Sequence, residues 1–403
     1  MTTVHPRPAV EGPAVESPAM KRPAVERRVL AGTDERFVQP DLARLIAMLG
    51  EAGLAGRGGA GFPTWRKLDA VAKAGRAPVV IGNGAEGEPL SGKDRTLLTH
   101  QPHLVLDGLQ IVARALGATT THLYVHPAAH APMRAAIGTR NADVHLTVAP
   151  DAFVAGEESA VVNALAGRAA VPSDKRIRIT QAGLGGAPTL VQNVETLAHI
   201  ALIVRFGPRW FRTAGTPDEP GTFLATVGGA VAAPGVLEAG YGVRLGDLVD
   251  AAGGPVRPPQ AVLLGGYHGG WVPAWPELEV SRAALAAYGG SPGAGIVHVL
   301  PASVCGLAET ARITGYLAGQ VAGQCGPCVN GLPRLATTLA DLAARRARPG
   351  LEQEVARLSA LVQGRGACRH PDGTVRLVQS AMRAFAADVT AHLHGECLAE
   401  GAR

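Results

Sequence analysis

The chain has no apolar run approaching the roughly eighteen residues that a helix needs to cross a bilayer. Direct membrane insertion is therefore not expected, although docking to a membrane-associated complex remains open. The start lacks the basic residues and apolar core of a secretory signal. The five cysteines look unpaired, and together these absences point to the reducing cytoplasm. Charge is sparse, at 18% of residues, and the net +5 comes from 38 basic against 33 acidic side chains. No dense basic block concentrates it, which argues against a nucleic-acid partner. The Gly-Lys-Ser/Thr of a Walker loop is missing, and no glycine spacing matches the standard dinucleotide fingerprint.

What is present is a folding chain. With 403 residues, 47% of them hydrophobic, there is room for two or three domains around sizeable cores. The 52 glycines imply many tight turns and close backbone approaches. Pro8, Pro13, Pro18 and Pro23 each open a repeat of the type Pro-Ala-Val-Glu. Proline every fifth residue forbids a helix, so residues 1–35 are expected to form a disordered leader. From residue 40 the pattern alternates between helices and strands: helices at 42–54 and 63–74, a strand at 78–82, a helix at 104–116, a strand at 122–126, then helices at 161–165 and 194–206. This alternation predicts a mainly parallel sheet, an α/β Rossmann-like domain over 40–215. Strands at 222–227 and 236–239, joined around Ala233-Pro234-Gly235, precede a helix at 245–252 and a strand at 261–264. They suit a small β-grasp module within 220–290. Beyond Leu307 apolar residues recur at three and four, predicting a helical bundle over 300–395 with helices near 307–322, 329–346, 351–363 and 374–394.

Four groups of residues carry chemistry. Gly56, Arg57, Gly58, Gly59 and Gly61 form a glycine-dense loop that opens onto a helix bearing Lys67. Bare amides at a helix start attract phosphate, and Arg57 and Lys67 add mobile positive charge; alone, such a loop also serves as a tight structural turn. Asn83 to Pro89, with Glu86 and Glu88, follows a strand at the end where α/β proteins bind ligands. An amide and two carboxylates can hold ribityl or ribose hydroxyls there, or simply face water. Glu157 and Glu158 follow Gly156 and precede an apolar helix, so they are either ligand contacts or capping charges. Finally, Cys325-Gly-Pro-Cys328 and the distant Cys368 can converge on a metal centre. Two alternatives stay open for them, a redox-active pair and a structural zinc with His370 as fourth ligand. Cys305 and Cys397 read as ordinary half-buried residues.

In this order the motifs resemble the flavin-binding (51 kDa, or F) subunit of respiratory complex I, NADH–quinone oxidoreductase. They are also similar to the diaphorase subunits of NAD-linked hydrogenases and formate dehydrogenases. The anchors are Gly53 to Thr64, Asn83 to Pro89 with Lys93-Asp94-Arg95, Gly156-Glu157-Glu158, Pro188 to Thr196, and Cys325 to Cys328. The resemblance spans residues 42–395 and implies an FMN-, NAD(H)- and iron–sulfur-dependent oxidoreductase. Its chemistry would be carried by the flavin rather than by a catalytic side chain. It implies FMN in the first domain, held by the glycine loop with Arg57, Lys67, Asn83, Glu86, Gly156, Glu158, Gln192 and Asn193. It implies NAD(H) contacts at Phe62, Glu88 and Glu157, hydride transfer to the flavin N5, a soluble-ligand-binding type of β-grasp (SLBB-like) in the middle, and a [4Fe-4S] cluster in the helical part. Electrons would leave to a ferredoxin-like or quinone-linked acceptor.

The chain departs from that family at four places. Ala85 stands where the family has an acid, Phe153 replaces a tyrosine, and Gln192 replaces one of two asparagines. Ala322 occupies the first position of the Cys-x-x-Cys-x-x-Cys run, leaving Cys325, Cys328 and Cys368. Three thiolates still suit [3Fe-4S], or [4Fe-4S] with water or His370 on the open iron. No aromatic pair for adenine is evident near Lys67 or Lys175 to Arg178, whose cations are read as meeting a phosphate or an acidic partner. Two other readings follow from these departures: an NAD-independent flavoprotein linked to ferredoxin, and a non-catalytic scaffold protein of a larger assembly.

Overall fold

The computed structural model describes residues 27–33, 37–174, 176–346 and 348–399. The proline repeat and Lys175 lie outside them. The first helices, α1 (Leu42–Ala52) and α2 (Thr64–Ala72), flank the glycine loop. Then come β1 (Val79–Gly84), α3 (Lys93–His100), α4 (Pro102–Leu116), β2 (Thr120–Val125), α5 (Pro127–Arg140), β3 (His145–Val148), α6 (Glu158–Leu165), β4 (Thr189–Asn193), α7 (Val194–Phe206) and the short α8 (Pro208–Phe211). The four strands are all parallel, in the order β3-β2-β1-β4. The neighbouring strands β1 and β4 are buried nearly throughout, as expected where both faces are covered. One face packs with α4 and α7 into the largest apolar cluster, the other with Val161 and Val162 of α6. The chain adds β2 and β3 on one side of β1 and then returns to add β4 on the other. The carboxyl ends of β1 and β4 thus form a topological switch point, the place where such sheets bind ligands.

A second, mixed sheet follows: β5 (Thr222–Gly229), β6 (Gly235–Gly240), α9 (Leu245–Ala251), β7 (Pro259–Leu264), β8 (Gly270–Pro273), α10 (Arg282–Ala286) and β9 (Ile296–Pro301), in the order β6-β5-β9-β7-β8. One face buries Leu245, Leu248 and Val249 of α9. The other presents Leu263, Trp271 and Leu300 to the last helices, α11 (Gly306–Gly319), α12 (Leu332–Ala343), α13 (Leu351–Val362), α14 (His370–Ala384) and α15 (Ala386–Leu393). The Trp271 Nε1–H donates to Thr310 on α11 at 2.9 Å, and its ring meets Phe385 edge-on at 5.3 Å. Phe385, buried against that ring, interrupts what periodicity reads as one helix over 374–394. Among the described residues no helix is long and apolar enough to cross a membrane.

Within the range expected to be a disordered leader, Arg28, Val29 and Leu30 are instead tied to the second sheet. Glu238 on β6 is completely buried and accepts the backbone N–H groups of Arg28, Val29 and Leu30, each at 2.9 Å. A buried carboxylate needs such donors, and it recruits them from the segment that precedes α1.

Candidate functional site

The switch point is built from side chains at the strand ends. Asn83, at the end of β1, donates from Nδ2 to the Gly156 carbonyl at 2.9 Å and accepts the Ala85 N–H at 3.2 Å. Asn193 caps α7 by accepting the Glu195 N–H at 3.0 Å and donates to Asp94 at 2.7 Å. Gly58 lies against Asn193, since a Cβ there would stand 3.4 Å from the Asn193 Cβ. Lys67 reaches across from α2, with Nζ 2.8 Å from the Val191 carbonyl and 3.1 Å from Glu158. Beside them Gln192 is buried, and its Nε2 has no hydrogen-bond partner among the described residues. A buried orphan donor at a switch point suits a ligand that brings acceptors.

Beneath this ring lies a buried charge cluster. Lys93 is 3% exposed and pairs with Asp94 at 2.7 Å and Glu195 at 2.8 Å. Burial alone would raise Glu195, but Lys93 and His199 outweigh it and hold the carboxyl at about 2. Burial pushes Asp94 up to about 6 against the pull of Lys93. Glu195 also accepts the Leu224 N–H at 2.9 Å, which ties α7 to the second sheet.

The expected site residues divide by what they touch. Glu86, at φ +49°, accepts the Asp94 and Arg95 N–H groups at 2.8 and 3.0 Å and so caps α3. Glu157 caps α6 through the Ser159 N–H at 2.8 Å. Arg57 is buried; its guanidinium donates to the carbonyls of Thr222 and Pro220 and to the Tyr241 hydroxyl, so it joins the glycine loop to the second sheet. Phe62 is exposed at the rim of the loop. A cavity of about 300 Å³ opens on the flank of the loop lined by Gly61, Trp65, Glu219 and Tyr241, away from the strand ends. Arg176 is exposed and pairs with Asp174 at 2.9 Å.

Glu88 faces the second sheet, accepting the Tyr267 N–H at 2.9 Å; burial pushes its carboxyl up to about 7. Gly87 beside it has no room for a side chain, since a Cβ would stand 2.6 Å from the Ala152 carbonyl oxygen and 2.8 Å from that of Phe153. Phe153 in turn packs edge-on against His268 at 4.6 Å, His370 at 5.6 Å and Tyr316 at 6.2 Å. Its N–H is accepted by Gln320, at the end of α11, at 3.0 Å. This aromatic layer escapes sequence reasoning because its members come from four distant segments.

Cys325, Cys328 and Phe153 share the apolar cluster of the last helices. Cys328 and Cys368 are buried and Cys325 is half-buried. Burial, then Cys325 and Cys368 beside it, push the Cys328 thiol up to about 12. Three soft donors near one another suit a thiophilic centre such as an iron–sulfur cluster, which does not require its sulfur ligands to touch. Cys325 stands before a π-helical turn, Pro327–Gly331, that runs into α12. His370 does not fit the expected fourth-ligand role. Its Nε2–H donates to the Leu317 carbonyl at 2.8 Å, and Nδ1 accepts from His268 at 3.1 Å. Both nitrogens are committed, and burial lowers its pKa, consistent with a neutral ring.

Comparison with known proteins meets this geometry at both ends. The family described as the Nuo51 FMN-binding domain matches residues 49–202, and that described as the NADH-ubiquinone oxidoreductase-F iron-sulfur binding region matches residues 302–392. The NADH-quinone oxidoreductase F subunit numbered 2 in Rhizobium meliloti (strain 1021) is 33% identical over 373 residues, covering 87% of this chain and 88% of the relative. The chain belongs to the family of NADH-quinone oxidoreductase F subunits. The F subunit of Streptomyces coelicolor is 29% identical over 374 residues, covering 87% and 83% of the two chains. Among solved structures, an NAD+-reducing [NiFe]-hydrogenase in the air-oxidized state superposes with a TM-score of 0.80 at 32% identity. That match covers 88% of this chain and 63% of the hydrogenase chain, so this member of the F-subunit group spans less than two thirds of that neighbour.

Proposed function

We propose that this member of the F-subunit group is an NADH dehydrogenase-like electron-transfer oxidoreductase. FMN would sit at the β1/β4 switch point and an iron–sulfur cluster at Cys325, Cys328 and Cys368. Held there, FMN would supply the conversion between two-electron and one-electron chemistry. The observation that carries the reading is the contact of Phe153 with His370, rings 5.6 Å apart. Phe153 belongs to the segment that leads to Gly156 and Glu158; His370 is two residues from Cys368. The aromatic contact thus links the segment of the expected flavin pocket to the segment of the expected cluster site.

The roles follow from the contacts. Asn83, Gln192 and Asn193 offer polar atoms at the strand ends, Gly58 and Gly59 offer unshielded backbone, and Lys67 supplies charge for the phosphate. Glu86 and Glu157 hold the helix starts in place, and Arg57 fixes the loop from behind. Glu88 and Phe62 stand where the nicotinamide nucleotide would approach. With Ala322 at the first motif position and His370 committed elsewhere, Cys325, Cys328 and Cys368 would be the protein's three ligands to the cluster, which suits [3Fe-4S] or a [4Fe-4S] cluster completed by a ligand from solvent. We further read residues 40–215, 220–290 and 300–395 as an FMN domain, an SLBB-like β-grasp and a helical cluster domain. The acceptor is a ferredoxin-like or quinone-linked protein, and the setting is cytoplasmic.

Reconstitution tests this. The purified chain should bind one FMN with quenched flavin fluorescence and carry iron and acid-labile sulfide. Cys325→Ser and Cys328→Ser should each lose iron and keep FMN, while Asn83→Ala should lose FMN and keep iron. A chain that takes up neither group contradicts the reading.

A further inference from the structure

The two cysteines that appear ordinary in sequence are not packed alone. Cys305, His392 and Cys397 bring one ligand atom each to within 4.8 Å of one another, and they form the only such trio of cysteine, histidine or carboxylate groups among the described residues. Cys305 caps the start of α11, where its sulfur accepts the Ala308 N–H at 3.4 Å. His392 lies on α15, is 1% exposed, and places Nε2 3.5 Å from the Cys305 sulfur. Its other nitrogen, Nδ1, lies 3.0 Å from the Leu342 carbonyl of α12. A carbonyl only accepts, so the proton is on Nδ1 and the Nε2 lone pair faces the sulfur. This is the outer-shell arrangement that orients a metal-ligating imidazole. Cys397, just after α15, brings its thiol within hydrogen-bond reach of Cys305.

Zinc–sulfur and zinc–nitrogen distances of about 2.3 and 2.0 Å in a tetrahedron place S and N about 3.5 Å apart, and the structure has 3.5 Å, so a cation can replace the thiol proton with no movement of either ligand. Asp388, one turn before His392, adds an independent sign. It is 5% exposed, one carboxylate oxygen has no hydrogen-bond partner among the described residues, and its carboxyl feels both His392 and the Leu398 N–H, next to Cys397. A buried, incompletely paired carboxylate beside a soft-donor trio is expected where a cation completes the charge balance.

We propose that Cys305, His392 and Cys397 bind a divalent d10 cation of the zinc class, separate from the three-thiol site. Two thiols deprotonate on binding and release two protons to solvent, the neutral imidazole donates its lone pair, and the fourth position takes water. The site clips the C-terminal segment onto the start of α11 and the end of α15, so its role is structural.

The probe is Zn²⁺ itself on the anaerobically purified, cluster-bearing full chain, with zinc and iron measured together by mass spectrometry. One zinc per chain should resist a competing chelator. X-ray absorption at the zinc edge should count two sulfurs and two light atoms, the imidazole nitrogen and the water oxygen. Cys305→Ser and Cys397→Ser should each weaken zinc at least tenfold with iron content unchanged, while Cys325→Ser should lose iron and keep this zinc. A readout without any variant is alkylation mapping, in which Zn²⁺ should protect Cys305 and Cys397 from iodoacetamide. Unprotected thiols, or a Cys305–Cys397 disulfide two mass units lighter in reduced, zinc-supplied protein, would overturn the proposal.

Discussion

Glu88 shows what a single residue contributes at the junction. Its carboxyl titrates near 7 in the folded chain against 4.5 when free, because burial disfavours its charge. Between those values the folded state holds a proton that the unfolded state has released, so this group's contribution to stability falls as pH rises through 7. Asp94, raised to about 6, acts in the same direction lower down; Glu195, held at about 2, acts the opposite way in acid. Glu88→Gln is therefore expected to flatten the decline of melting temperature between pH 5 and 8, and identical slopes in both proteins would refute this. Lys93 has a larger stake, since it neutralises two buried carboxylates. Lys93→Met should cost about 3–5 kcal/mol in denaturant unfolding, as expected when one member of a buried ion group is removed; a loss under about 1 kcal/mol would contradict it. Such residues were partly legible in the chain. The capping alternative for Glu157 followed from its place before an apolar helix. The engagement of Arg57 did not, because its partners Thr222 and Tyr241 lie more than 160 residues away.

At the scale of elements, short pieces escaped reading. β4 is five residues running straight into α7, with no turn residue between strand and helix to mark it. β3 and β8 have four residues each, too few for a period to show. Yet β4 makes the switch point, so the sheet's central feature was invisible until strand order was known. Several long helices were placed within a few residues, α7 to its ends, because thirteen residues give periodicity something to act on, whereas the fourteen-residue α5, with Pro132 inside it, was not read at all. The turn from Asn83 to Pro89 is the element most sensitive to substitution. Gly87→Ala would drive a methyl group against the backbone oxygens of Ala152 and Phe153, which cannot move like a side chain tip. We expect it to separate the turn from Phe153, weakening FMN affinity at least tenfold in fluorescence titration while iron content holds. Unchanged affinity would mean that the turn and the aromatic layer are not coupled.

For the whole molecule, the motifs pointed to two chemical ends, and the fold brings the Phe153 segment of one against the His370 segment of the other. The last helices lie on one face of the second sheet through Trp271 and Phe385, while Glu195 and Arg57 hold its other elements to the first sheet. Phe153, three residues before Gly156, meets His370, two residues after Cys368, and so joins the segments that carry the two expected sites. A relay between two redox centres across that contact is the central claim. Anaerobic titration of the reconstituted chain with NADH, followed by absorption and low-temperature EPR, tests it most directly. The flavin band should bleach, and a cluster signal should change with it and be lost in Cys325→Ser. A flavin that bleaches while an intact cluster stays unchanged, or a chain that NADH does not reduce at all, would contradict it.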